Sequence, residues 1–324
     1  MTIKILTTGG TIASKDESDT EVSKMFLSGE EMAESIPEIN SVANISIEAI
    51  CNIHSYNIDL NIWKRISERV NDALVEHDTM GVVITHGTDT MEETAFFLDL
   101  TVKSSKPVVL TGAQRCASDW DSDGQRNLLN AVKIAAAKNT RKMGVLVSLN
   151  GQIYSAWDVT KTHTLAVETF NAGPNGLLGE VVGDQVRYYR NPIHRVNFPL
   201  KSINPNIDII TMYPGADGRY IDYAVKSGLS GIVIQGLGAG NVNALLFKSI
   251  KNALKNNVTV VVSTRVPYGP ALPLWGFEGG GLNLKEHGAI FSNSLSPWKS
   301  RILLMLSINT VKNEEELQNI FDLY

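Results

Sequence analysis

The chain has 324 residues, 43% of them hydrophobic and 19% charged, which is the balance of a soluble globular protein with room for one large domain or two ordinary ones. Its 29 basic and 34 acidic residues give a net charge of −5, and the charges are scattered, so nucleic acid, which needs a basic stripe, is excluded as an expected partner. No run approaches the ~20 apolar residues of a membrane span, and the opening residues run into a strand pattern without the features of a secretory signal, so the chain reads as cytoplasmic.

In chain order, short apolar runs alternate with amphipathic stretches. Strands are predicted at Ile3–Thr8, Val82–Thr85, Val108–Leu110 and Val145–Leu149, with helices near Leu60–Leu74, Glu92–Leu100 and Leu128–Ala137. Ser28-Gly29-Glu30-Glu31 has the spacing of a capping box and predicts a short helix ending before Pro37. The polar stretch Ser14–Lys24, with Asp16, Glu17, Asp19 and Glu21, reads as a mobile flap. Between Arg187 and Pro205 the periodicity fails and prolines accumulate, as in a linker. A second set follows, with strands at Ile207–Met212, Gly231–Gln235 and Val258–Ser263 and helices near Ile221–Ser227, Ala244–Leu254 and Pro297–Leu306. The alternation predicts an α/β protein of two α/β domains, each around a mostly parallel sheet. The expected division is residues 1–190, a linker at 191–206, and residues 207–324. Cys51 and Cys116 lack metal-ligand spacing and read as reduced, structural thiols.

Three predicted strand ends carry the chemistry: Thr8-Gly9-Gly10-Thr11, Thr85-His86-Gly87-Thr88-Asp89 and Thr111-Gly112-Ala113. In an open parallel sheet ligands gather beyond the carboxyl ends of the strands, so these turns should share one crevice. Thr11 and Thr88 offer hydroxyls, Asp89 a carboxylate, and Lys161, from Asp158-Val159-Thr160-Lys161-Thr162, an amine. Hydroxyl, amine and carboxylate are the parts of nucleophilic acyl transfer, with backbone N–H groups of the glycine turns available for an oxyanion. Plainer readings stand beside these: Asp89 as the N-cap of the helix beginning at Met91, Lys161 as a solvated surface charge, and His86 as either a base or a packed strand-end residue. Gly236-Leu237-Gly238-Ala239-Gly240-Asn241 imitates a dinucleotide loop but lacks the acidic partner such a site needs.

Taken together, these segments, with the C-terminal Ser296–Leu306, resemble the bacterial-type L-asparaginase and glutaminase-asparaginase family over nearly the whole chain. The resemblance implies an amidohydrolase that converts L-asparagine to L-aspartate and ammonia through an acyl-enzyme, with no metal and no cofactor. It implies Thr11 as nucleophile and Thr88, Lys161 and Asp89 as a second group that polarises the site and feeds the deacylating water. It further implies Ser55 on the substrate α-carboxylate, Asp89 on the α-amine, and the Ala113 carbonyl on the leaving amide. Family members are usually tetramers built from tight dimers, with Asn241 and Glu278 the candidates that complete a neighbouring subunit's site. Two departures bear on mechanism. Ser14–Ser28 contains no tyrosine where the family's flap carries one, leaving Trp275-Gly276-Phe277-Glu278, Tyr56 or Tyr268 as replacements near the motifs. Tyr56 stands where a glutamine usually helps bind substrate, and its bulkier phenol is expected to weaken asparagine binding, to narrow the pocket against glutamine or to admit another amide; a related amidase acting on glutamine, D-asparagine or a peptide-linked amide is the alternative within enzymology. A non-catalytic amino-acid-binding regulator on the same scaffold is the alternative outside it.

Overall fold

A computed structural model describes residues 1–15, 25–192 and 196–324. The chain forms two compact units, Met1–Pro192 and Ile193–Tyr324. Apart from its first two residues, the flap expected at Ser14–Lys24 lies outside the described residues, as do positions 193–195 of the expected linker.

The first unit contains strands β1 (Thr2–Thr7), β2 (Ser14–Lys15), β3 (Met25–Phe26), β4 (Asn44–Ala49), β5 (Thr79–Thr85), β6 (Val108–Thr111), β7 (Val145–Leu149), β8 (Gln152–Ser155), β9 (Thr160–Lys161), β10 (Phe170–Asn171), β11 (Gly179–Val182) and β12 (Gln185–Tyr188). Its helices are α1 (Gly29–Glu34), α2 (Ile39–Val42), α3 (Leu60–Val75), α4 (Met91–Thr101) and α5 (Gly124–Ala136). Eight strands form one sheet in the order β12-β11-β8-β7-β6-β5-β1-β4. From β4 to β7 the pairing is parallel, and β8, β11 and β12 extend it antiparallel. The central strands are buried on both faces, which is why they read as unbroken Val, Ile and Leu runs.

Side chains alternate across this sheet, and Ile3, Ile5, Val83, Val109 and Leu146 join a core with Leu128, Ala131, Val132 and Ala135 of α5 and with Met32 and Ile39. On α3, Trp63, Ile66, Val70 and Leu74 are buried at helical spacing, and the Trp63 ring stacks on Phe97 of α4 at 5.0 Å. The Asp59 side chain starts α3 by accepting from the Ile62 N–H at 2.9 Å. The capping box of α1 forms as expected: Ser28 Oγ accepts from the Glu31 N–H at 3.1 Å, and Glu31 Oε2 accepts from the Ser28 N–H at 2.7 Å.

The sheet order positions the site. From β1 the chain moves outward to β4, then returns to the other side of β1 and proceeds through β5, β6 and β7. The order reverses at β1 and β5, and the loops leaving two adjacent strands in opposite directions open a crevice at their carboxyl ends.

The second unit contains β13 (Ile207–Thr211), β14 (Gly231–Gly236), β15 (Thr259–Thr264) and β16 (Ile290–Phe291), a parallel sheet in that order. Its helices are α6 (Arg219–Lys226), α7 (Ala244–Lys255), α8 (Gly281–Glu286), α9 (Pro297–Ser307) and α10 (Glu314–Phe321). Ile232, Ile234, Val260 and Val262 pack with Ile221 of α6, Leu246, Phe247 and Ile250 of α7 and Leu284 of α8. The fold class expected from the sequence is the one observed, with an antiparallel extension of the larger sheet that the alternation did not reveal.

Candidate active site

Thr8 through Thr11 leave β1 and turn at Gly10, whose φ of 87° and ψ of 179° belong to a region essentially reserved for glycine. That conformation lets two loops touch. A Cβ on Gly10 would lie 2.5 Å from the nitrogen of Gly87 in the β5–α4 loop, so the two backbones meet with no room for a side chain between them. Hydrogen bonds stitch the strand ends: the Thr8 N–H and Oγ1 both donate to the Thr85 carbonyl, at 3.1 and 2.9 Å, and the His86 N–H donates to the Thr111 carbonyl at 2.9 Å. Thr11 opens a single 3-10 turn, half-buried, directly beyond this contact.

Lys161 Nζ stands 2.8 Å from Thr88 Oγ1 and 2.8 Å from Asp89 Oδ1. The lysine side chain is 15% exposed and the aspartate 58%, so the ion pair borders solvent on its acidic side. At such exposure an ion pair contributes little to stability, roughly 0–1 kcal/mol, and its main consequence is to orient the amine. Asp89 does not cap α4; Thr90 occupies the N-cap position, and its Oγ1 donates instead to the Ser55 carbonyl at 2.8 Å. Nor is Lys161 a solvated surface charge. The first reading fails because the helix starts one residue later than an Asp89 cap requires, the second because the β9 strand brings the amine to the β5 turn.

Ser55 is buried against Gly87, where an added Cβ would fall 2.7 Å from its Oγ. Tyr56, next in sequence, is 64% exposed and stacks on His54, ring centroids 5.4 Å apart. Ala113 is buried, and its loop is pinned by residues the sequence did not single out. Asp123 accepts from the backbone N–H groups of Gln114 and Arg115, while Asn127 Nδ2 donates to the Gly112 carbonyl at 3.0 Å. Thr11, Thr88, Asp89, Lys161, Ser55 and Ala113 therefore all lie on the first unit, on segments clustered about the carboxyl ends of β1, β5 and β6 or on β9, which bonds to the β5 turn.

Asn241 and Glu278 belong to the second unit, in segments that follow β14 and β15. The turn that imitates a dinucleotide loop closes on itself, with Leu237 and Asn241 exchanging backbone hydrogen bonds of 2.9 and 2.8 Å. The Val242 N–H donates to the Gly279 carbonyl at 2.9 Å, so the neighbours of Asn241 and Glu278 are bonded to each other. Glu278 itself is exposed.

His86 is a packed residue and not a base. The Gly87 carbonyl, which only accepts, lies 2.7 Å from Nδ1, so that nitrogen carries the proton. Nε2 then accepts from Thr94 Oγ1 at 2.9 Å, and Thr94 in turn accepts from the Trp63 indole N–H at 2.8 Å. Complete burial holds the imidazole neutral, its pKa lowered to about 4. A histidine whose folded-state pKa lies below its unfolded value of about 6.5 supports the fold fully above that value and loses the support as pH falls towards 4. Between pH 7 and pH 4 the difference in unfolding free energy is expected to shrink by about 3 kcal/mol in His86→Gln relative to wild type, measured by urea denaturation at both pH values; an unchanged difference would contradict the neutral assignment.

Burial also raises the Cys51 thiol, whose S–H points to the Thr8 carbonyl at 3.5 Å. Among the described residues no cluster of three His, Cys, Asp or Glu has metal-binding geometry, and no helix is long and apolar enough to cross a membrane.

Comparison with known proteins matches residues 2–194 to the family "Asparaginase, N-terminal" and residues 206–321 to the "Glutaminase/Asparaginase C-terminal domain". The chain belongs to the asparaginase family. It is 40% identical to "L-asparaginase 2" of Bacillus subtilis over 99% of its own length and 86% of that protein's. It is equally 40% identical to "Probable L-asparaginase periplasmic" of Haemophilus influenzae, over 99% of this chain and 92% of the relative. Among solved structures, "Probable Cytoplasmic L-asparaginase" from Campylobacter jejuni superimposes with a TM-score of 0.91 at 37% identity, covering 99% of both chains. Within the asparaginase family, then, the Thr88–Lys161–Asp89 cluster sits where a parallel α/β sheet holds its ligands.

Proposed function

We propose that the chain hydrolyses L-asparagine to L-aspartate and ammonia through a covalent threonine ester. The observation that carries this reading is the amine of Lys161 at 2.8 Å from both Thr88 Oγ1 and Asp89 Oδ1, beside the loop that presents Thr11. In the proposed sequence Thr11 Oγ1 adds to the side-chain amide carbon, the hydroxyl proton passes to the departing nitrogen, and ammonia leaves an aspartyl ester. Water then adds to the ester carbon, and the hydrogen-bonded Thr88–Lys161 pair takes a proton from that water. Collapse of the intermediate releases aspartate and returns the proton to Thr11. Ser55 and Asp89 hold the α-carboxylate and α-amine, the Ala113 carbonyl receives the amide N–H, and backbone N–H groups of the glycine turns stabilise the oxyanion.

Ammonia release from L-asparagine, L-glutamine, D-asparagine and simple β-aspartyl amides at matched concentrations tests this reading. L-Asparagine is expected to be the best substrate, and absence of release from every amide would contradict catalysis altogether. Tyr56, placed where a glutamine is usual, favours a second reading in which the preferred amide is shifted. Tyr56→Gln is expected to change the asparagine-to-glutamine ratio of kcat/KM by about 3-fold or more; an unchanged ratio means the phenol does not face substrate.

The proposal extends to a homotetramer, a dimer of dimers in which Asn241 and Glu278 complete a neighbour's site, and a monomer in analytical ultracentrifugation would contradict it. It also extends to the cytoplasm. Relatives carry names from both the cytoplasm and the periplasm, and recovery of this chain in a periplasmic fraction would contradict the cytoplasmic reading.

A further inference from the structure

We infer that Glu92, with Thr160, is the positioning residue of the reactive amine, setting the reach of Lys161 to Thr88; the inference rests on the reading that Lys161 acts in turnover. Lys161 lies on β9, a strand of two residues that, among the described residues, pairs with the two-residue β10 alone. A ribbon that short is not stable by itself. It is held by a carboxylate from another element: Glu92 Oε2 accepts from the Thr160 hydroxyl at 2.8 Å, and Glu92 Oε1 accepts from the Lys161 backbone N–H at 3.2 Å.

Glu92 is 6% exposed, and it sits in the first turn of α4, two residues beyond the N-cap Thr90. A carboxylate in a first helical turn is favoured by the helix dipole, and its hydrogen bonds offset the cost of burial. The placement has a mechanical consequence. Thr88 and Asp89 form the turn that launches α4, so the helix that fixes the two acceptors of the amine also grips the backbone from which the amine extends. Glu92 thereby fixes the Cα of Lys161 against Thr88 through two short links. Without it a four-carbon stem with several freely rotating bonds would hang from a mobile ribbon. A shift of 1 Å between reacting groups can cost about 10²-fold in rate, so a loosened ribbon should register in kcat.

Glu92→Leu is expected to lower kcat for asparagine hydrolysis by about 30-fold and leave KM within about 3-fold. Glu92→Gln should keep kcat within about 3-fold of wild type: its amide oxygen accepts from the Lys161 N–H, and the Thr160 hydroxyl reverses to accept from the amide nitrogen. Thr160→Val should lower kcat by about 10-fold, and Thr160→Ser should restore it. The deciding measurement repeats Glu92→Leu in a Lys161→Met background, where the remaining kcat should change by less than about 2-fold because the residue being positioned is gone. A 30-fold loss in both backgrounds, or full activity of Glu92→Leu, overturns the inference. If circular dichroism finds Glu92→Leu unfolded, the near-isosteric Thr160→Val carries the same cycle, with a loss of equal size in both backgrounds overturning it. Undiminished turnover of Lys161→Met alone overturns the underlying reading of Lys161, and the inference with it.

Discussion

Thr11→Ala is expected to abolish turnover, with kcat for L-asparagine below about 1% of wild type, because a covalent nucleophile is worth well over 10²-fold, or more than about 2.7 kcal/mol of barrier. The substitution removes the hydroxyl and the γ-methyl group, and no backbone contact of the turn. Thr11 is half-buried in a 3-10 turn whose shape is set by the preceding Gly10, by the Ala13 N–H donating to the Gly10 carbonyl at 3.0 Å, and by Ser14 Oγ donating to the same carbonyl at 3.1 Å. None of these bonds uses the Thr11 hydroxyl. The variant should therefore unfold within about 0.5–1 kcal/mol of wild type and still bind L-aspartate, so that loss of rate is separable from loss of structure. Activity above 1% in a folded protein would show that the ester forms elsewhere.

Lys161→Met should produce a comparable collapse, again more than about 10²-fold in kcat, with KM less affected. Methionine approximates the length and bulk of the lysine stem but offers no amine, so both 2.8 Å contacts vanish while the packing of β9 stays. The cost to the fold should be small, about 0–1 kcal/mol, because the orphaned Asp89 carboxylate is more than half exposed and water replaces its partner. A thermal denaturation curve alongside the rate measurement separates the two effects. Retained turnover would reduce Lys161 to a structural contact between β9 and the β5 turn.

The two threonine turns were legible because a strand-end glycine announces itself: Gly10 and Gly87 are required where two backbones meet, and each precedes a threonine. The parallel core was legible for the same kind of reason, since strands buried on both faces must be continuous runs of Val, Ile and Leu. Pairings made far apart in sequence were not. Lys161 carries no mark distinguishing it from other surface lysines until β9 folds against α4, so its reading as the site's amine stood beside the plainer one of a solvated charge. Glu92 was hidden more completely, because an acid in a first helical turn has a sufficient local explanation in the helix dipole. Asp123 and Asn127, which pin the Ala113 loop, are similarly ordinary residues near the start of an amphipathic helix. The antiparallel extension had a readable signal that the broader alternation obscured: Asn150-Gly151 between β7 and β8 has φ of 51° and 75°, the two left-handed residues of a tight hairpin turn. α10 had one as well, in Asn313, whose side chain accepts from the Glu316 N–H at 2.9 Å.

The two turns and β9 form one reaction centre in this account, with Thr11 as the group that becomes acylated. Acid quenching during turnover of L-asparagine, followed by proteolysis and peptide mass spectrometry, addresses that claim directly. An aspartyl ester on the peptide bearing Thr11, absent from Thr11→Ala, is the predicted result. The same ester found on the peptide bearing Thr88, or on any peptide remote from both turns, would contradict it.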